Sequence, residues 1–144
     1  MPSSVVHLYA AYKLKDYFKA ENLPQFFLGA ISPDAVNVKG FAEEKIRYAA
    51  HIRSKNPSEW LSNIKEFISE NSDKYANEAD FFNGFILHLL TDIAWDEAVQ
   101  PKLFSVLLRI GVSEEELRRE KWQELYRFNG YLMKNNLWNF IKEE

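Results

Sequence analysis

The segment FFNGFILHLLTDIAWDEA, residues 81–98, is apolar on nearly every face of a helix, yet it carries His88 and Asp92 one turn apart. A helix that is apolar all round is usually buried, and a buried carboxylate beside an imidazole is costly unless a positive charge satisfies both. Side chains at i and i+4 share one helix face, so both can reach one metal ion. The pair alone is also typical of a structural Asp–His hydrogen bond or of an aspartate paired with Arg or Lys, and it does not decide between these alternatives.

The other two histidines of the chain lie in distinctive segments as well. His7 lies just inside a predicted helix start in PSSVVHLYAAYKL, and His51 lies in IRYAAHIRS. Between them, Asp34 follows the Ser-Pro turn of FFLGAISPDA. With His88 and Asp92 these residues form a nitrogen and oxygen donor set that suits zinc, and nickel, iron or manganese as well. The chain has no cysteine, so thiolate ligands are excluded.

Three segments, MPSSVVHLYAA, FFLGAISPDA and GFILHLLTDIAWDEA, resemble the zinc-dependent phospholipase C family, whose relatives include the single-strand-specific zinc nucleases. The resemblance covers roughly residues 1–100. It implies a compact all-α domain with a buried central helix that carries the HxxxD motif. It also implies one ion held by His88, Asp92, His51 and Asp34, and a second held by His7 and a bridging Asp92. The implied activity is hydrolysis of a phosphoester by a metal-activated water, with Asp34 as ligand, as general base, or as both.

Two departures from the family pattern narrow this expectation. No histidine follows His88, whereas trinuclear members have further ligands downstream, so one or two ions are expected rather than three. Ala35 follows the turn aspartate, where members that cleave phosphatidylcholine have an aromatic residue. The predicted substrate is therefore a small phosphodiester or phosphomonoester, with a phospholipid-like ester as a further candidate.

Three basic residues flank the predicted site in the sequence, namely Lys39, Arg47 and Arg53. Arginine binds phosphate oxygens in bidentate geometry, so these side chains are candidates for holding the substrate phosphate. Taken one at a time, ordinary surface charge is the favoured interpretation of each.

Composition predicts one domain over residues 1–144, since a chain of 144 residues that is 47% hydrophobic has enough apolar side chains for a core. The net charge of −3 gives no broad positive field, so we expect no extended nucleic-acid binding. No apolar stretch reaches the roughly 18 residues of a transmembrane segment, and the N-terminus lacks the pattern of a signal peptide. These features predict a cytoplasmic protein and leave its oligomeric state open.

Capping residues and apolar spacing predict helices over about 5–21, 24–31, from Asn56-Pro57 onward, from Asn77 or Glu78 to about Gln100, from there to Ile110, and from Ser113 toward Asn129. Residues 35–50 are predicted to be irregular. Pro101 is predicted to end the central helix, and Gly130 to separate the last segment. Four aromatic residues are predicted to pack in the interior, with an exposed subset as a partner surface: Trp122, Tyr126, Tyr131 and Trp138.

Two alternative functions remain open. The first is a non-catalytic helical module that binds metal or another protein, with the ligand set serving stability alone. The second is an HD-type phosphohydrolase, but that class requires adjacent His-Asp, and none of the three histidines is followed by aspartate. No GxSxG elbow, GxxxxGKS/T loop or GxGxxG fingerprint is present, so the corresponding hydrolase and nucleotide-binding classes are not indicated.

Overall fold

The computed structural model describes residues 2–137, and helices are the only regular elements in that range. They are α1 Ser4–Leu14, α2 Leu23–Ile31, α3 Glu44–Ala50, α4 Pro57–Asn71, α5 Ala79–Ala94, α6 Gln100–Arg109 and α7 Leu117–Leu132. Short 3-10 helices span Ser32–Asn37 and Ala76–Glu78, and π-helical turns span Trp95–Val99 and Met133–Leu137. The predicted all-α fold is confirmed. Within the described range, every helix is too short or too polar to cross a membrane, and Trp138 lies outside that range.

The central helix α5 is crossed by α2 at backbone contact distance, and two glycines make this approach possible. A Cβ atom added at Gly84 would lie 2.0 Å from the carbonyl oxygen of Phe26. A Cβ atom added at Gly29 would lie 2.1 Å from the carbonyl oxygen of Phe81. Either side chain would force the two helices apart. Around this crossing, buried apolar residues form three clusters: Trp60, Ile64, Phe82, Ile86, Leu89 and Ile93; Val6, Trp95, Leu125 and Leu132; and Ala11, Phe26, Phe27, Ala30 and Leu87.

We expect Gly84→Ala to destabilise the protein by at least about 1 to 3 kcal/mol, because the obstacle is backbone rather than a side chain that can rotate away. The measurement is urea unfolding of the variant beside Gly130→Ala, whose added Cβ would meet nothing within 4 Å. Gly130→Ala should be neutral or stabilising, since alanine is the better helix former. Equal stability of the two variants would contradict the close crossing.

The predicted start of α4 is confirmed. The side chain of Asn56 accepts hydrogen bonds from the backbone N–H groups of Ser58 and Glu59, which would otherwise lack partners in the first turn. Trp60 and Ile64 then face α5 in the first of the three clusters. The predicted end of α6 is also confirmed, because Gly111 follows it with φ of +92°.

Two predictions about the first third of the chain are wrong. The first helix ends at Leu14 rather than near Glu21, and Lys19 then adopts the left-handed conformation with φ of 51°, which turns the chain toward α2. Of residues 35–50, only residues 38–43 are irregular, because the second half of a 3-10 helix and all of α3 occupy the rest of the range. The helix α3 has no buried residue, so it lacks the apolar face that periodicity would have detected.

Pro101 and Gly130 do not interrupt the helices as predicted. The chain leaves α5 at Ala94, passes through the π-helical turn and continues as α6, with Pro101 in the first turn of α6 where no N–H donor is needed. Gly130 lies within α7, where glycine costs only about 1 kcal/mol relative to alanine. That helix begins at Leu117, after Ser113 has donated a hydrogen bond to Glu116.

The aromatic residues of α7 are only partly used in packing. Trp122 packs against the cluster that contains Val6 and Trp95, as predicted. Tyr126 and Tyr131 are 71% and 61% exposed, so they belong to the exposed subset that the sequence left open and not to the interior.

Candidate metal centre

The structure brings the five predicted ligands together from four parts of the chain. His7 lies on the first turn of α1, Asp34 in the 3-10 helix after α2, His51 at the C-terminal cap of α3, and His88 and Asp92 on α5. The three histidines and Asp92 are at most 1% exposed, whereas the side chain of Asp34 is 17% exposed. The group is therefore buried, and Asp34 forms its boundary with solvent.

Most of the donor atoms lie at separations that suit one shared ion. Asp92 Oδ2 lies 3.7 Å from His51 Nε2 and 3.8 Å from His88 Nε2. Asp34 Oδ1 lies 3.4 Å from His51 Nε2. Bonds of about 2.0 to 2.1 Å in a tetrahedral zinc site place neighbouring donors about 3.3 Å apart. A contraction of a few tenths of an ångström would bring these atoms to that geometry.

Several buried donor atoms of the group lack hydrogen-bond partners. Among the described residues, seven buried side-chain nitrogen or oxygen atoms have no partner, and six of them belong to this group. These six are both ring nitrogens of His7, Nε2 of His51 and His88, and both carboxylate oxygens of Asp92. An unpartnered buried polar atom costs about 1 to 3 kcal/mol, more if it is charged. A divalent transition ion fits this donor set, because it would satisfy imidazole nitrogens and a carboxylate together.

Backbone carbonyl groups orient two of the imidazoles. His88 Nδ1 lies 2.8 Å from the carbonyl oxygen of Ala30, and His51 Nδ1 lies 2.8 Å from that of Arg47. A carbonyl only accepts hydrogen bonds, so each Nδ1 carries the proton and each Nε2 presents its lone pair to the centre. Metal-bound histidines are usually fixed in this way. Sequence reasoning missed these partners, since a backbone carbonyl has no residue type to recognise.

His88 belongs to two overlapping groups of donors. One group contains His7, His88 and Asp92, and the other contains Asp34, His51 and His88. The rings of His7 and His88 stack at 3.6 Å with an angle of 10° between them. Because Nδ1 of His88 is engaged by Ala30, only Nε2 can bind, and it can serve one ion.

Asp92 is the residue that can serve two ions, because its oxygens face different histidines. Oδ2 lies near His51 and His88, whereas Oδ1 lies 3.6 Å from His7 Nε2. This arrangement favours a first ion at His51, His88, Asp34 and Asp92, and a second at His7 and the other Asp92 oxygen, which is the division that the resemblance implies. The second ion would have fewer protein donors and would bind more weakly.

The protonation states favour cation binding at neutral pH. Burial and the neighbouring His7 lower the pKa of His88 from 6.5 to about 4, so its imidazole is neutral. Burial alone would raise the pKa of Asp92, but the polar contact and charge of His7, with the charges of His88 and His51, hold it below its ordinary value. A neutral imidazole and an ionised carboxylate are the forms that bind metal.

The lowered pKa of His88 predicts that the metal-stripped protein loses stability in mild acid. The fold favours neutral His88, while the unfolded chain takes up a proton below pH 6.5. The contribution of neutral His88 to the free energy of unfolding is therefore complete above pH 6.5. It decreases by up to about 3 kcal/mol as the pH falls toward about 4. Urea unfolding at pH 7.5, 6.0 and 5.0 measures this, and a free energy of unfolding that stays constant over that range would contradict it.

The three basic candidates occupy different environments. Arg47 donates through Nε to the carbonyl oxygen of Ala42 at 3.0 Å, and Arg53 pairs with Asp96. Both line a cleft beside the centre. Lys39 is exposed in the turn before α3 and is not among the residues that line this cleft. The structure thus groups two of the three predicted phosphate ligands.

Comparison with models of protein families, with curated proteins and with solved structures gave no match for this chain. The resemblance to the zinc-dependent phospholipase C family therefore stays a prediction from the quoted segments. The geometry of the five residues is independent of that resemblance.

Proposed function

We propose that the protein binds one or two divalent transition ions, zinc first among them, and hydrolyses a small phosphoester by means of a metal-activated water. The observation that carries the proposal is the convergence of buried donor atoms that lack any other partner, on His7, His51, His88 and Asp92. Nickel, iron and manganese suit the same donors, so the identity of the ion is a matter for measurement.

The roles of the residues follow from their positions. A bound zinc ion supplies a water of pKa about 7 and an electrophile for a phosphoryl oxygen. Asp34, at the solvent boundary, accepts a proton from the attacking water or holds that water in line with the phosphorus. His51 and His88 keep their Nε2 atoms directed at the centre through their carbonyl partners. The phosphoester itself is inferred from the resemblance of the three quoted segments to the zinc-dependent phospholipase C family.

Metal addition is expected to stabilise the protein. Ligand at 100 times its dissociation constant adds about 2.7 kcal/mol to the free energy of unfolding. We expect zinc to raise the melting temperature of the chelator-treated protein and elemental analysis to find one to two ions per chain. Unchanged melting after zinc addition would remove the basis of the proposal.

The activity is tested with bis-nitrophenyl phosphate, a phosphomonoester and phosphatidylcholine, each with the chelator-treated and the zinc-loaded protein. We expect slow, zinc-dependent cleavage of the diester and a lower rate with long-chain phosphatidylcholine, because Ala35 stands where an aromatic residue is expected for choline. The cytoplasmic location predicted from the sequence belongs to this proposal, and cell fractionation tests it.

A second candidate function is a structural metal site in a non-catalytic module. Its supporting observation is the burial of all three histidines and of Asp92, since structural zinc sites are closed whereas catalytic ones keep a position open to water. Zinc-dependent stability without cleavage of any phosphoester in the panel would favour this function over hydrolysis.

A further inference from the structure

A basic cleft of about 450 Å³ lies beside the metal centre, between the α3 region and α7. Its ionisable lining comprises four cations, Arg47, Arg53, Arg118 and Lys121, and two carboxylates, Glu44 and Asp96. The lining therefore carries a formal charge of about +2, in a chain whose net charge is −3.

Within residues 2–137, the cations of the cleft are incompletely neutralised. Arg53 pairs with Asp96, but Arg118 has no ion pair among the residues that the structure describes. The amine of Lys121 donates to Gln100 Oε1 at 3.2 Å, which is a neutral acceptor. Burial lowers the pKa of Lys121, and the positive charges of Arg118 and Arg53 lower it further against the effect of Asp96. A bound anion would relieve this repulsion and accept charge-assisted hydrogen bonds.

The cleft adjoins the metal centre through two shared segments. Arg47, which lines the cleft, also provides the carbonyl oxygen that orients His51. Asp96 lies four residues after Asp92 along the same continuous helical path. None of the five candidate ligands lines the cleft, so a substrate that uses both sites would have to extend from the exposed edge of the centre at Asp34 to the cleft.

We infer that this cleft binds a second negatively charged group of the substrate, distinct from the phosphoester that is cleaved at the metal centre. Anion binding requires only the cations of the cleft, whereas the assignment of the anion to a substrate rests on the proposed function. We therefore expect the protein to bind small molecules with two or more anionic groups, such as diphosphates and bisphosphates, more tightly than singly charged diesters.

The binding test uses inorganic pyrophosphate and the metal-stripped full chain, so that the probe cannot bind through zinc. Trp122 reports on the cleft, because it lines it, contacts Phe41 and lies 5.3 Å from the amine of Lys121. Tryptophan fluorescence and calorimetry give the affinity, and loss of the fluorescence change in Trp122→Phe assigns the signal to this position. Affinity should decrease with added salt, as expected for partly exposed charges.

Two variants remove charge from the cleft, and two matched variants remove it elsewhere. We expect Arg118→Gln and Lys121→Gln each to weaken pyrophosphate binding by about 3- to 10-fold. Arg127→Gln, on the same helix but outside the cleft lining, and Lys65→Gln, on α4, should bind as the wild type does. Absence of pyrophosphate binding, or equal binding by all variants, would overturn the inference.

The kinetic test separates this inference from the proposed function. For a nitrophenyl phosphodiester that carries a second phosphate group, Arg118→Gln should raise KM about 3- to 10-fold and leave kcat unchanged. For singly charged bis-nitrophenyl phosphate, KM should stay the same. Equal changes in KM for both substrates would overturn the substrate assignment. Pyrophosphate binding that depends on Arg118 and Lys121, without hydrolysis of any phosphoester, would uphold the anion site and overturn the proposed function.

Discussion

Replacement of His88 by alanine is expected to abolish tight metal binding and to destabilise the zinc-loaded protein by about 3 to 5 kcal/mol. His88 is fully buried, and its Nε2 is the only nitrogen free to bind, so no other atom of the side chain can take over. Its removal also leaves the carboxylate of Asp92 in the interior without the ion that would neutralise it. Elemental analysis and urea unfolding, with and without zinc, measure the two effects.

Two control variants separate metal loss from general damage to α5. Leu89→Ala, next to His88 and also fully buried, should cost about 2 to 5 kcal/mol and still bind zinc at the wild-type ratio. Adding Asp92→Asn to His88→Ala removes the buried charge, so stability should recover in part while metal stays absent. Wild-type zinc content in His88→Ala would show that Asp92 has a different partner.

Local sequence patterns were sufficient to predict features that lie within a single helix. The cap formed by Asn56 and the apolar spacing after it gave the start and the buried face of α4. The i and i+4 placement of His88 and Asp92 gave a shared helix face, because that geometry is internal to one helix. These features require no knowledge of the neighbouring elements.

Features that depend on two distant segments were not predictable in the same way. The approach of α2 to α5 depends on the contact between Gly29 and the backbone carbonyl of Phe81. No local sequence pattern predicts this contact. The same approach brings the carbonyl oxygen of Ala30 to His88. The orientation of a predicted ligand therefore depends on a helix crossing that neither segment encodes alone.

The passage from α5 to α6 shows how a correct local rule gave a wrong boundary. Proline is excluded from a helix interior, so Pro101 was expected to end the central helix. The π-helical turn at Trp95–Val99 instead starts a new hydrogen-bonding register, in which the N–H of Gln100 donates to the carbonyl of Trp95. Pro101 then lies in a first turn, and Asp96 is placed at the cleft.

Asp34→Asn is expected to separate catalysis from metal binding. Asparagine keeps the size and the carbonyl oxygen of the side chain but removes its negative charge and its ability to accept a proton. Asp34 is the most exposed of the five residues and lies 3.4 Å from His51 at the edge of the group, while His51, His88 and Asp92 supply the buried donors. We therefore expect most of the first ion to remain and turnover of bis-nitrophenyl phosphate to fall by about 10² to 10⁴.

The dependence of this rate on pH distinguishes the two roles of Asp34. If its carboxylate takes the proton of the attacking water, the dependence of kcat on pH should differ between the wild type and Asp34→Asn, whereas it should be the same in both if Asp34 only positions that water. Asp73→Asn, a change of the same kind at an exposed position after α4, should leave metal content, rate and profile unaltered. Loss of the ion together with the activity would instead identify Asp34 as a ligand that the first ion requires. An unchanged rate would exclude Asp34 from the reaction, although it is the member of the group that reaches the solvent boundary.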